Sequence, residues 1–177
     1  MRRNPETVFF GKETESVRIR IGIESQTLRL LGKDCEVLRE YPVSTSKNGV
    51  GEKMGSFMTP RGRHVIRAKI GADMPVNTVF VKRRPTGEIY STELGERFPG
   101  RDWILSRILW LSGKEPGFNR HGDVDTMRRY IYIHGSPDSA EMGKPGSIGC
   151  IRMHNADLLD LFERVDAGTE VEILEFV

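Results

Sequence analysis

The chain reads as a mainly β domain, a sandwich or barrel-like sheet carrying two or so helices. Three observations lead there. Apolar and polar residues alternate over short runs, as in Val17, Ile19 and Ile21 against Arg18 and Arg20, the period of a half-buried strand. Gly, Pro, Ser and Asn recur between these runs as turn formers. Only two segments, near 102–111 and 155–165, carry helical spacing. With 177 residues, 37% hydrophobic and 29% charged, the chain suits one soluble globular domain with a single core.

Residues 1–16 are polar and aperiodic, an expected flexible leader to a domain over 17–177. Residues 17–21 form the first strand, Ser25-Gln26 turns the chain, and 27–31 return as a hairpin. Residues 35–43 make a third strand ended near Pro42, which casts Cys35 as a structural thiol. Thr59-Pro60-Arg61-Gly62 is a turn before a strand over 63–70, and short strands are expected near 78–82 and 88–91. Asp102 is expected to cap a helix through Leu111, with Trp103, Leu105, Ile108, Leu109 and Trp110 as its apolar surface. Residues 112–126 read as a long loop. In the strand 130–134, period two puts Tyr130, Tyr132 and His134 on one face and Ile131 and Ile133 on the other. Asn155 is expected to cap a helix with Leu158, Leu161, Phe162 and Val165 at i, i+3, i+4, i+7, ended by Gly168. Residues 169–177 then close the chain as a strand.

A net charge of +2 points to no polyanion partner, and Lys82-Arg83-Arg84 and Arg128-Arg129 read as solvated surface. No zinc-finger spacing or aromatic–basic stripe supports nucleic-acid binding, and no stretch approaches a membrane span. The amino terminus has the charge of a signal peptide without its apolar body, so a cytoplasmic location is expected, or a periplasmic one for a trimmed chain.

The chemistry concentrates in Ser147-Ile148-Gly149-Cys150-Ile151-Arg152, with His134-Gly135 upstream. A thiolate attacks carbonyl carbon, and an ordinary thiol with a pKa of ~8.5 is only slightly ionised at neutral pH, so an imidazole that takes its proton activates it. The Gly149 and Cys150 amides face a developing oxyanion, and Arg152 suits a carboxylate. A lone Cys is more often a small buried hydrophobe and a lone His a satisfied core imidazole, but glycine and arginine around one thiol do not suit a core strand. His121, His134, Cys150 and His154 lack a closely spaced ligand pair, so no metal is expected. His154 is a second candidate for proton handling, and His64 reads as a packing or surface residue. The two cysteines argue for no oxidising compartment.

These motifs resemble the L,D-transpeptidase catalytic domain, the YkuD family. The family pattern is a His-Gly pair, a variable loop, and Ser/Thr-x-Gly-Cys-hydrophobic-Arg/Asn. His134-Gly135 and the segment from Ser147 through Arg152 match it in order and spacing. Gln26-Thr27-Leu28, Tyr41-Pro42-Val43-Ser44-Thr45 and Thr59-Pro60-Arg61-Gly62 look like further landmarks, so the resemblance covers residues 17–175. One departure is Ile148, where many members carry a second histidine. Residues 94–126 exceed a minimal domain and are expected to form a lid-like insert.

The resemblance implies a thioester on Cys150 formed with the third residue of a peptidoglycan tetrapeptide stem, a diamino acid, and loss of the terminal D-Ala. His134 would be the base, Gly135 would orient it, and Tyr132 would assist the oxyanion. Ser147 would support the turn and Arg152 would engage a substrate carboxylate. No cofactor is implied, and carbapenem-type β-lactams are expected acylating inhibitors. Without an export signal, hydrolysis of the acyl-enzyme (L,D-carboxypeptidase trimming of muropeptides) is expected over cross-linking by an exported transpeptidase. An inert peptidoglycan-binding module is the non-enzymatic alternative.

Overall fold

The computed structural model describes residues 16–177, so the expected leader lies almost wholly outside the described residues. The first strand β1 (Arg18–Gly22) pairs antiparallel with β2 (Thr27–Leu31), and β2 with β3 (Val37–Pro42). Ile19 and Ile21 bury against Leu28 and Leu30, as the alternation requires. The last strand β10 (Glu170–Leu174) lies parallel to β1 and carries the sheet on to β4 (Gly62–Ile70). The hairpin β5 (Thr78–Val81) and β6 (Arg84–Ile89) leads into a short helix α1 (Thr92–Arg97), capped by the Ser91 hydroxyl. The long strand β7 (Ile104–Gly113) gives one edge to β4 and β5 and the other to β8 (Tyr132–Ser136), which pairs in turn with β9 (Ile151–His154). Helix α2 (Asn155–Arg164) follows β9 directly. The result is a mainly β, curled mixed half-barrel with two helices, as the alternation and turn spacing predict.

The segment expected as a helix from Asp102 is instead the central strand β7. It has neighbours on both edges and is buried on both faces, so its apolar run is continuous and loses the period-two signature. A bulge at Ser106 and Arg107 (Ser106 φ 69°) then shifts the alternation, and the two polar residues there mimic a helical gap. The second helix of the fold is α1, which lies just before it. Thus residues 104–113, within the expected lid-like segment 94–126, belong to the sheet itself.

Cys35 sits outside any strand, exposed and at φ 66°, in the turn before β3, so it is not a packed core thiol. Asn155 is the first residue of α2 rather than its cap; its carboxamide bonds to Ser106 and Asn77. The helix ends at Arg164, before Gly168.

Leu158, Leu161 and Phe162 of α2, with Val165 just beyond it, fill the concave face. They meet Ile66, Leu109, Leu111, Ile133, Ile151 and Ile173 in one continuous core. No helix among the described residues is long and apolar enough to cross a membrane.

His64 on β4 is fully buried, its ring between the Gly62 carbonyl and the Thr126 hydroxyl. Burial pushes its pKa down to about 4. The unfolded chain therefore binds more protons than the folded one between about pH 4 and 6.5, and stability falls as pH is lowered through that window. Urea unfolding at pH 7 and pH 5 is expected to show about 2 kcal/mol lost to this one group. In His64→Gln the pH 7 to pH 5 difference should shrink by that amount; an unaltered difference would refute the assignment.

Candidate active site

Strands β8 and β9 run parallel with Ile133 beside Ile151 and His134 beside Arg152. Residues in register point the same way, so Ile133 and Ile151 both enter the main core. On the opposite face lie Tyr132, His134, Arg152 and Cys150, the residue preceding β9. Cys150 packs against the separate cluster of Phe80, Ile108 and Tyr132. Period two thus brings the sequence-predicted nucleophile, base, tyrosine and arginine onto one face. His154 lies two positions beyond Arg152, opposite Ser136, and precedes α2.

His134 is fully buried, and its Nδ1 bonds the Gly135 carbonyl at 2.7 Å. That bond places the proton on Nδ1 and leaves Nε2 as the free lone pair. Nε2 has no hydrogen-bond partner among the described residues. Residue 135 must be glycine, because a Cβ there would stand 2.6 Å from the Leu105 carbonyl oxygen and 2.2 Å from Asn155 Oδ1. The His-Gly pair therefore reflects a backbone crowded between β7 and α2.

Cys150 ends a tight turn built by Ser147. The Ser147 hydroxyl donates to the Cys150 carbonyl (2.5 Å) and accepts from the Gly149 amide (3.2 Å), while Thr59 Oγ1 donates to the Gly149 carbonyl. Gly149 has φ 134°, where a side chain is strained. The Gly149 amide is thus engaged within the turn in the free site. The Cys150 amide makes no hydrogen bond among the described residues and is the donor left at the sulfur. The sulfur accepts from the Tyr132 amide (3.4 Å), and the thiol donates to the Tyr130 carbonyl (3.5 Å).

Burial pushes the Cys150 thiol up to about 12; the Tyr132 amide opposes this, Asp102 adds to it, and Arg152 and Arg129 pull it down. Burial likewise holds His134 below its ordinary value, against the pull of Asp102. Both groups are thus held towards their neutral forms, a thiol and a neutral imidazole.

Arg152 is committed in this state. Its Nη2 contacts Asp102 at 2.6 Å and its Nη1 the Gly146 carbonyl at 3.0 Å. Asp102, read from sequence as a helix cap, is instead the carboxylate that Arg152 holds. The Tyr132 hydroxyl accepts from Arg83 at 2.9 Å.

A cleft of about 480 Å³ opens over the sulfur, with Tyr132, Ile148 and Phe57 in its walls. Lys82, Arg83 and Arg129 also line it, although the sequence reading placed them on solvated surface. Lys82 (φ 48°) and Arg83 (φ 65°) form the two-residue loop of the β5–β6 hairpin, where Asn-Gly is the ordinary filling. Holding side-chained residues there costs roughly 1–2 kcal/mol each. The absence of Gly or Asn between two strand-like runs was the available signal. Arg129 donates to the carbonyls of Gly51 and Met58 and to the Ser56 hydroxyl, which fixes the 51–58 loop beside the cleft.

The family model described as YkuD, L,D-transpeptidase catalytic domain, matches residues 16–173. A Bacillus licheniformis protein provisionally named L,D-transpeptidase YkuD is 29% identical over 171 residues, which is 97% of this chain and 69% of that protein. Among solved structures, Bdellovibrio bacteriovorus Bd1075 superposes with a TM-score of 0.58 at 15% identity, over 95% of this chain and 51% of that one. L,D-transpeptidase 3 of Mycobacterium tuberculosis, in complex with a faropenem-derived adduct, gives 0.55 at 15% identity, over 91% of this chain and 61% of that one. The chain therefore spans little more than half of these solved chains, and the likeness to them is one of fold.

The protonation state of the free site is testable by alkylation. A thiol raised to about 12 carries almost no thiolate at pH 7, so the iodoacetamide rate at Cys150 should climb about tenfold per pH unit from pH 7 to pH 10. Peptide mapping separates Cys150 from the exposed Cys35. A plateau reached below pH 8 would instead mean a thiolate–imidazolium pair and overturn this picture.

Proposed function

The chain belongs to the YkuD family of L,D-transpeptidase catalytic domains, and from that premise we propose that it acylates Cys150 with a peptidoglycan stem peptide. The observation that carries the proposal is the unpartnered Nε2 of a fully buried His134, its other nitrogen pinned by Gly135, on the face that also bears Cys150.

In the proposed sequence the thiol turns from the Tyr130 carbonyl towards Nε2, which takes its proton as the sulfur attacks. The electrophile is the carbonyl of the third stem residue, a diamino acid. Neutral partners suit this order, since a base of low pKa in a dry site removes the proton only as the S–C bond forms. The free Cys150 amide donates to the oxyanion, with the Tyr132 side as the second wall. Imidazolium returns the proton to the departing D-Ala amine, and a thioester remains. Ser147 holds the turn, and Arg152 takes the substrate carboxylate in exchange for Asp102. The same nucleophile would open a carbapenem-type β-lactam to a thioester.

For the acceptor we favour water, which makes the chain an L,D-carboxypeptidase that converts tetrapeptide to tripeptide. A second cleft, of about 150 Å³, shares Arg152 with the site and is lined also by Trp103, Ser136 and Pro137. Sites for drug-sized ligands measure roughly 300–1,000 Å³, so this space suits water or a small amine better than a second stem. Cross-linking is the alternative outcome.

Replacing His134 by Ala should lower turnover by about two orders of magnitude or more, the usual size of general-base effects. Near-normal turnover with folding intact would refute its role. Disaccharide tetrapeptide incubated with and without a D-amino acid should yield mainly tripeptide by mass spectrometry. Exchange products in excess of tripeptide would remove water as the principal acceptor.

A further inference from the structure

Three cations line the cleft over Cys150, and among the described residues none of them has a carboxylate partner. Asp102 is the one acidic residue lining that cleft, and it is bound to Arg152. Lys82, Arg83 and Arg129 thus face the substrate volume unneutralised. Arg129 spends its donors on the 51–58 loop, and Lys82 is exposed.

Arg83 is different. Its guanidinium carbon lies 4.6 Å from the Trp110 ring centre and 4.7 Å from that of Tyr130, and its Nη1 donates to the Tyr132 hydroxyl. Nε and Nη2 donate to nothing among the described residues. Two aromatic faces and one hydrogen bond therefore fix the plane of a fork whose other donors are free. An arginine held this way loses little freedom on meeting a planar anion. The Lys82-Arg83 loop, held at positive φ, sets this side chain at the cleft.

Position selects the anion. The Tyr132 amide touches the Cys150 sulfur while the hydroxyl of the same residue holds Arg83. Tyr132 thus bridges the nucleophile and Arg83, and both line the same cleft. A diamino acid whose main-chain carbonyl sits at the sulfur would carry its terminal carboxylate, on its own side chain, into the cleft that Arg83 lines.

We propose that Arg83 is a specificity residue that reads a free side-chain carboxylate on the third residue of the donor stem, in preference to the carboxamide. The proposal rests on the donor-stem reading of the site.

Four tetrapeptides test it, with acid or amide on the third side chain and acid or amide at the D-Ala terminus. The wild-type chain should favour the side-chain acid over its amide by about tenfold to a hundredfold in kcat/KM, the worth of a charge-assisted hydrogen bond. Arg83→Met, which keeps the aliphatic stem in the aromatic slot, should bring that ratio within about twofold of one, and Arg83→Lys should keep part of it. A purely structural role would lower acid and amide alike and leave the ratio intact, which would overturn the proposal. So would a preference lost only at the D-Ala terminus. Cleavage of all four without side-chain preference would sink the inference alone. A folded wild-type chain that cleaves none of them would sink the donor-stem reading and this inference together.

Discussion

The parallel pairing of β8 with β9 governs everything at the site, because it alone brings His134 and Cys150 to one face from positions sixteen residues apart in the chain. Such a pair is exposed to slippage, since a shift of one residue would send Cys150 into the core and Ile151 into the cleft. Three features hold the register. Ile133, Ile151 and Met153 are fully buried on the core side. Ser44 exchanges two backbone hydrogen bonds with Arg152, so β9 is gripped on its far edge as well. Helix α2 starts immediately after β9, and its buried Leu158, Leu161 and Phe162 draw that strand end into the core. The catalytic register is thus a by-product of core burial, and no interaction between the two reacting groups is needed to maintain it.

That independence has an electrostatic counterpart. Two groups that held each other as thiolate and imidazolium would need polar surroundings, yet burial drives both towards neutrality here. A neutral pair allows a dry pocket, and a dry pocket strengthens whatever donors meet the oxyanion. Asp102 works against the ionised thiol but in favour of a protonated His134, so its pairing with Arg152 screens it from both. In the proposed exchange of Asp102 for a substrate carboxylate, that balance would shift at the moment of binding.

The parts of the fold legible in the sequence are those decided locally. The β1–β2 hairpin follows from strict alternation, α2 from its i, i+3, i+4, i+7 stripe, and the two site motifs from their residue types. What escaped was decided by neighbours distant in sequence. Strand β7 lost its alternation because sheet covers both its edges, and the bulge at Ser106 lent it a helical spacing. Asp102 became an ion-pair partner only because β9 delivers Arg152 beside it. The Gly149 amide was spent by Ser147 inside the very turn that the motif announced. Arg83 and Arg129 look like ordinary surface charge until the hairpin and the 51–58 loop fold over the cleft.

Backbone strain marks the same boundary between scaffold and site. Phe57, Lys82, Arg83 and Tyr130 all have positive φ without being glycine, and all four line the cleft over Cys150. Each such residue costs roughly 1–2 kcal/mol, an appreciable share of a typical domain's net stability of about 5–15 kcal/mol. Gln26, Cys35, Asn77 and His121 share this conformation in turns that do not line the cleft, and β7 has its single positive-φ residue, Ser106, at the bulge that fastens α2 to the sheet. The sheet and α2 supply the stability, and three loops around one sulfur consume part of it to set an aromatic and basic wall at the cleft. These loops, beside the Cys–His pair, give the cleft its aromatic and basic character.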